Sequence, residues 1–269
     1  MTPLRLMAIV AHPDDESLGM GATLARYAAE GVEISVVTAT LGEAGRYRGL
    51  PQAHADHPGP ERLAAIRKGE LQAAIEVLGV RHLYHLGYED QQLDRADPAE
   101  AAKRIAAAIT DARPQVVITF GPDGAYGHPD HIAISQLTGA AIVRAADAAS
   151  GPTGPHAVSK LYFLAWPKDA WTAYESALRR LVSMVDGVER QAVPWPDWAI
   201  TTVLDTKDAW QTAWRAVSCH ESQVSAYERL GHLDDAHHHA LWGRQCYYRV
   251  FSRVNGGRAR ETDLFEGLR

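Results

Sequence analysis

The chain concentrates metal-ligating and proton-carrying side chains in two short segments, Ala11-His12-Pro13-Asp14-Asp15-Glu16 and Tyr126-Gly127-His128-Pro129-Asp130-His131. Burying unpaired charges costs several kcal/mol per group, so the run from His12 to Glu16 cannot be ordinary core. His12 and Asp15 are three residues apart, as are His128 and His131, and each pair can converge on one point from a single helical turn. A catalytic zinc takes three protein ligands from His and Asp/Glu and keeps one position open for water. Two histidines and one carboxylate are available for that, with acids to spare. Zinc brings the pKa of its water toward about 7 and polarises a carbonyl, and a left-over carboxylate can take the proton of the attacking water. The bland alternative is that Asp14, Asp15 and Glu16 cap a helix, where acids favour the positive dipole end. Three histidines and two prolines in facing segments favour metal-assisted hydrolysis over that alternative.

Those segments must be carried by an α/β framework. Short branched apolar runs at Leu6–Val10, Val32–Val37, Arg81–Leu86, Val116–Phe120 and Lys160–Ala165 read as strands. Alanine-rich stretches of helical period lie between them at Leu18–Ala29, Glu61–Leu78, Pro98–Ala112 and Ile132–Ala149. Gly31 and Gly79 stand where left-handed C-caps are wanted, and Asp97-Pro98 is an N-cap followed by proline in the first turn. This alternation predicts a Rossmann-like parallel sheet in the order 3-2-1-4-5 with helices on both faces. The first and fourth strands are then neighbours at the switch point, where such sheets place their ligands. Both chemical segments follow those two strands.

After the linker Ser150-Gly151-Pro152-Thr153-Gly154-Pro155 the pattern loosens, with a helix expected near Asp208–Val217 and a strand near Tyr247–Ser252. Residues 151–254 are expected to extend the core of residues 1–150, making one domain over 1–254. The polar tail 255–269 is expected to be mobile, although Leu264, Phe265 and Leu268 could dock.

The formal charge is −6, from 33 acidic and 27 basic side chains. A net negative surface argues against nucleic acid or anionic lipid as the main partner. Cys219 and Cys246 are too few for a disulfide framework and are expected to be buried thiols. The run Leu6–Val10 is too short for a signal peptide, and no stretch reaches the roughly 20 apolar residues that span a bilayer. A cytoplasmic location is expected, and a homo-oligomer is left open.

At these residues the sequence resembles the LmbE-like (PIG-L) de-N-acetylase family, whose members act on N-acetylglucosaminyl conjugates in mycothiol, bacillithiol and glycosylphosphatidylinositol synthesis. The likeness extends through Gly19-Met20-Gly21, Thr40-Leu41-Gly42-Glu43-Ala44-Gly45, Arg67 and Glu70, Leu86-Gly87-Tyr88-Glu89-Asp90 and His220-Glu221-Ser222-Gln223. The resemblance implies that His12, Asp15 and His131 hold one zinc ion and that Asp14 is the general base. It also implies that His128 stabilises the oxyanion or protonates the leaving amine, and that Tyr126 contacts the carbonyl oxygen. Asp130 is expected to orient His128 or another imidazole. The implied activity is removal of an N-acyl group from a small-molecule amino-sugar conjugate.

Other features carry less. Gly19-Met20-Gly21 lacks the third glycine of a dinucleotide fingerprint and follows acids that repel a pyrophosphate. Arg46 and Arg48 lie in a Gly/Pro-rich loop and are candidate substrate-binding cations. His237-His238-His239 invites a second metal site, but consecutive residues point apart, and an exposed loop is expected. His220 is expected to pack or to line the cleft rim. The rival functions are an amidase for a thiol–sugar conjugate, a metal-binding carbohydrate-recognition protein without turnover, and a two-metal phosphoesterase.

Overall fold

The computed structural model describes residues 3–147, 154–177, 182–185, 187–225 and 232–269. The amino-terminal half alternates β1 (Arg5–Val10), α1 (Asp15–Leu18), α2 (Gly21–Ala29), β2 (Glu33–Thr38), α3 (Pro60–Leu78), β3 (His82–His85), α4 (Pro98–Ala112), β4 (Val116–Thr119), α5 (Gly124–Gly127) and α6 (Pro129–Ala145). There follow β5 (Lys160–Leu164), α7 (Lys168–Ala177), β6 (Val182–Val185), β7 (Val188–Gln191), β8 (Thr202–Asp205), α8 (Trp210–Cys219), α9 (Glu221–Val224), α10 (Asp235–Trp242) and β9 (Arg244–Ser252).

The main sheet runs β3-β2-β1-β4-β5-β9-β8. Its first five strands are parallel, in the expected order 3-2-1-4-5. Right-handed crossovers place α2 and α3 on one face, where α8 joins them, and α4 and α6 on the other. Strands covered on both faces lose the alternation of a half-exposed strand, so Leu6 through Val10 and Val116 through Ile118 are all fully buried. Thr119 Oγ1 donates to the Ile9 carbonyl at 2.8 Å, locking the ends of β4 and β1 side by side. The chemical segments leave the sheet at that seam.

Two helix boundaries differ from expectation for tertiary reasons. The helix expected over Leu18–Ala29 breaks into α1 and α2 at Gly19-Met20, where a Cβ on Gly19 would lie 2.9 Å from Leu164 Cδ2. The helix expected from Ile132 begins three residues earlier, because His128 caps it and Pro129 fills the first turn. His131 therefore sits in the first turn of α6. The end of that expected helix (148–149) and most of the expected linker (150–153) lie outside the described residues.

The carboxy-terminal segment completes the same sheet. β9 runs antiparallel to β5, and β8 antiparallel to β9. The hairpin β6–β7 is separate. The tail expected to be mobile is instead laid back on the core, with Leu264 and Phe265 fully buried. Its anchor is Glu261, which accepts from Lys160 Nζ at 2.7 Å and from Tyr162 Oη, Thr202 Oγ1, Arg249 Nη1 and Asn255 Nδ2 at 2.8 Å each. Five donors satisfy a buried carboxylate and hold the last turn of chain. His237, His238 and His239 lie on α10 and not in a loop: Asp234 caps that helix, and His238 is buried among Trp210, Trp214 and Trp242. Both cysteines are free thiols. Among the described residues, no helix is long and apolar enough to cross a membrane.

Candidate active site

At the β1–β4 seam three side chains close on one point. His12 Nδ1 lies 3.2 Å from His131 Nε2 and 3.5 Å from Asp15 Oδ2, and His131 Nε2 lies 3.3 Å from Asp15 Oδ1. Ligand atoms 2.0–2.1 Å from a tetrahedral zinc stand about 3.3 Å apart, so this triangle has the size of one face of that tetrahedron. The ring nitrogens of His12, His128 and His131 form a looser group, within 4.8 Å of one another. With Asp15 in place of His128, the two further edges are 3.5 and 3.3 Å, which suits one metal, while His128 lies alongside. The donor chemistry fits a borderline divalent cation.

The surrounding bonds prepare these ligands. The His12 backbone N–H donates to Asp15 Oδ2 at 2.8 Å, fixing the carboxylate under the ring. His12 Nε2 faces Asp90 Oδ1 at 3.0 Å and Asp130 Oδ2 at 3.2 Å. Those carboxylates are placed to accept a proton carried on Nε2, and Nδ1 faces the cage, the usual orientation of a ligating imidazole. Asp130 thus serves His12, and is itself held by the backbone N–H groups of Gln91 (2.7 Å) and Leu93 (3.1 Å). Phe120 stacks on His131 at 4.0 Å between centroids. Burial, with the nearby charge of His12, brings His131 down to about 3, so its ring is neutral and able to ligate. Burial alone would also lower His12, but its bonds to Asp130, Asp15 and Asp90 outweigh it and raise the ring, so a metal taken up at Nδ1 would have to displace a proton there. Asp15 is held well below the usual carboxylate range: His131 and His12 overcome its burial.

Asp14 stands beside the cage in a left-handed conformation, with φ 96°. Such a conformation costs about 1–3 kcal/mol in a non-glycine residue and persists only where the surroundings impose it. Two groups impose it here. Arg67 Nη2 holds Asp14 Oδ2 at 3.0 Å and also donates to the Pro13 carbonyl, while Arg67 Nη1 donates to the Gly42 carbonyl at 2.8 Å. Gly42 has φ +66°, and a Cβ there would lie 1.8 Å from Arg67 Nη1, so only glycine lets the guanidinium through. From the other side, Glu16 Oε2 accepts the Asp14 backbone N–H at 2.9 Å. Burial, only partly offset by Arg67, pushes the Asp14 carboxyl up to about 6.

Glu16 is itself fully buried and bonded through Oε1 to Ser17 Oγ at 2.5 Å and His220 Nε2 at 2.8 Å. Burial opposes a charge on His220, but Glu16 and then Asp14 outweigh it and raise its pKa. His220 therefore packs beneath the base loop and not at the cleft rim. The rest of its motif clamps the loop after β2. Ser222 bonds Glu70 through its N–H (2.6 Å) and Oγ (2.7 Å), its carbonyl accepts from Arg48 N at 2.6 Å, and Gln223 Nε2 donates to the Arg46 carbonyl at 2.8 Å.

His128 caps α6 with Nδ1, which accepts the Asp130 N–H at 3.2 Å. A neutral ring with Nδ1 so engaged carries its proton on Nε2. Burial and the charge of His12 bring this histidine down to about 4, so it stays neutral. Tyr126 lies 5.4 Å from His131 and 5.9 Å from His128 between ring centroids. Ala125, with φ 62°, forces the sharp turn before it. His12, Asp14, Asp15, Tyr126, His128 and His131 all line one cleft, together with Arg67 and Asp90. Arg46 and Arg48 do not line it. The Arg46 guanidinium turns to the Gly49 carbonyl at 3.2 Å, and Arg48 faces Glu221 at 3.7 Å on the surface. Arg67 and Asp90, which belong to motifs visible in the sequence but had no role assigned there, reach the cleft, as do Gln91 and Gln223.

The arrangement has close relatives in sequence. The chain is 36% identical over 310 residues, covering 99% of its own length and 83% of the other's, to the 1D-myo-inositol 2-acetamido-2-deoxy-alpha-D-glucopyranoside deacetylase of Kineococcus radiotolerans. In fold it is similar to N,N'-diacetylchitobiose deacetylase from Pyrococcus horikoshii, at TM-score 0.66 and 18% identity over 93% of this chain and 84% of that one. It is also similar to the 4-carboxy-2-hydroxymuconate hydratase from Pseudomonas putida, at TM-score 0.70 and 19% identity over 95% of this chain and 100% of that one. A deacetylase and a hydratase on one fold show that the fold by itself does not select the chemistry. Residues 7–142, which contain most of β1, all of β4 and every side chain of the cage, match the GlcNAc-PI de-N-acetylase (PIG-L) family, and the chain belongs to that family.

Proposed function

We propose that the chain is a zinc-dependent hydrolase that removes the N-acetyl group from a small-molecule amino-sugar conjugate such as an N-acetylglucosaminyl derivative, in the cytoplasm. The observation that carries this reading is the triangle of His12, Asp15 and His131, with edges of 3.2–3.5 Å, beside a carboxylate that none of its members uses. The full-length relation to a sugar deacetylase supports it. Held by these three residues, zinc would supply Lewis acidity toward the amide carbonyl and toward the attacking water.

The chain's own residues do the rest. Asp14 is the general base: it is held at the cage by Arg67 and Glu16, and its pKa near 6 leaves it ionised at neutral pH yet basic enough to accept a proton. His128 donates from Nε2 to the carbonyl oxygen as negative charge develops there. Its low pKa and its engaged Nδ1 favour that role over carrying a proton to the amine. The proton taken by Asp14 is then the one available to the leaving nitrogen. Tyr126 stands next to His128 as a second donor to the same oxygen.

The deciding experiment measures metal content together with amine release from N-acetylglucosamine and its glycosides, before and after chelation. About one zinc per chain, and release that is lost on chelation and restored by zinc, is the expected result. A chain that takes up no metal, or one that hydrolyses equally well without it, overturns the proposal.

A further inference from the structure

The cleft has two chemically unlike walls, set apart by strand order. The cage lies over β1 and β4 in the middle of the sheet. From the β2–β3 side come Gly45, Arg67, Asp90, Gln91 and Gln223, a wall of hydrogen-bonding groups. From the β5 side come Leu164, Trp166, Trp171 and Tyr174, joined by Leu18 from α1. No carboxylate, amide or guanidinium is among the described residues lining that second wall.

The aromatic wall is a built surface. Trp171 and Tyr174 share one face of α7 at three-residue spacing and stack at 5.6 Å and 9°, both buried. Trp166 stands at right angles to both, 5.8 Å from Trp171 and 5.0 Å from Tyr174. Its backbone carbonyl is pinned by the Trp195 N–H at 2.8 Å. Trp166 remains only partly buried and faces the same cleft as the cage.

An amide centred on the cage must send its two substituents to opposite sides. A sugar ring carries several hydroxyls that need partners, and these match the wall that carries Arg67, Asp90, Gln91 and Gln223. Hydroxyls set against the other wall would lose hydrogen bonds to water without replacement. We propose that the aromatic wall is an acyl subsite, and that the chain's substrates include amino-sugar amides whose acyl group is apolar and larger than acetyl. This rests on the deacylase reading above and extends it from the metal to the acyl side of the scissile bond. Hydrolysis is unchanged in its balance: water and the amide give a carboxylate and the amine.

The test compares glucosamine acylated with acetyl, butyryl, hexanoyl and phenylacetyl groups, using the zinc-loaded full chain. Each methylene buried on that wall is worth about fourfold in kcat/KM. The N-phenylacetyl amide should exceed the N-acetyl amide by at least about tenfold. In W166A that ratio should fall toward one, and in W166F it should fall only partly. Because the readout is a ratio within one preparation, loss of folded protein does not move it. Equal kcat/KM across the acyl series, or a ratio unaffected by W166A, overturns the acyl subsite while leaving deacetylation standing. A gain from aryl glycosides with none from larger acyl groups overturns it as well. Absence of amine release from every member overturns the deacylase reading instead.

Discussion

Removing the Arg67 guanidinium tests how the catalytic carboxylate is tuned. Arg67 Nη2 stands 3.0 Å from Asp14 Oδ2, and both are largely shielded from solvent. At an effective dielectric near 20, unit charges at that separation interact by roughly 5 kcal/mol, and one pKa unit corresponds to about 1.4 kcal/mol. That sets a ceiling of about four units on the depression Arg67 exerts. Water entering beside the Pro13 and Gly42 carbonyls recovers much of the loss, so an upward shift of about one to two units is expected in R67M. The sign is unambiguous: Arg67 stabilises the ionised form of Asp14, whose carboxyl already stands near 6. The acid limb of the kcat/KM profile should therefore move from about 6 to about 7–8, and activity at pH 6 should fall by about 5- to 50-fold. At pH 9 most of the rate should return. R67K keeps the charge and should hold the limb near its original position. An R67M enzyme that folds, retains its metal and shows an acid limb displaced by less than a few tenths of a unit would refute the electrostatic coupling.

Two further perturbations probe the long-range supports of the site. In H220A, Glu16 loses its buried partner and Asp14 its fixed backbone; kcat should drop about 100-fold with KM and zinc stoichiometry unchanged, as steady-state kinetics and metal analysis can show. A loss confined to KM, or a loss of zinc, would mean that His220 acts on something other than the base. In E261Q, Lys160 is left fully buried without its counter-charge; breaking such a pair costs about 3–5 kcal/mol, and calorimetry should find Tm lowered by about 10 °C. Glu261 is held down at about 2 by the bonds from Asn255, Lys160, Tyr162 and Thr202, which overcome its burial. Its stabilising contribution is therefore complete above about pH 4.5 and is lost as pH falls toward 2. Acid unfolding of E261Q should lack that component; an unchanged acid profile would show that Glu261 is not ionised in the fold.

The parallel core was legible because its strands are covered on both faces and read as unbroken apolar runs, as Leu6–Val10 does. The convergence of His12, Asp15 and His131 was legible because His12 and Asp15, and likewise His128 and His131, stand three residues apart after strand ends. What escaped was tertiary. The break at Gly19 depends on Leu164 and the placement of Arg67 on Gly42, each far away in the chain. His220 belonged to a visible motif, yet nothing local says that its partner is Glu16. Arg46 and Arg48 were attractive as cations near the cleft, but their backbone is held by Gln223 and Ser222, which leaves the guanidinium groups outside. The tail read as mobile because its composition is polar. Glu261 reverses that by collecting four donors from β5, β8 and β9 and a fifth from Asn255 in the tail itself.

The bond between His220 and Glu16 spans 204 residues of sequence, and this bears on when a growing chain becomes competent. The residues proposed to hold the metal, His12, Asp15 and His131, are all synthesised by the time the chain reaches His131. The group that neutralises buried Glu16 arrives later, on the order of 5–20 s at ordinary rates of translation. Until then Glu16 lacks the bond from His220, and of the two groups that impose the left-handed turn at Asp14 only Arg67 is fully in place. On the zinc reading, the residues proposed to hold the metal are thus complete well before the residue that braces the base loop.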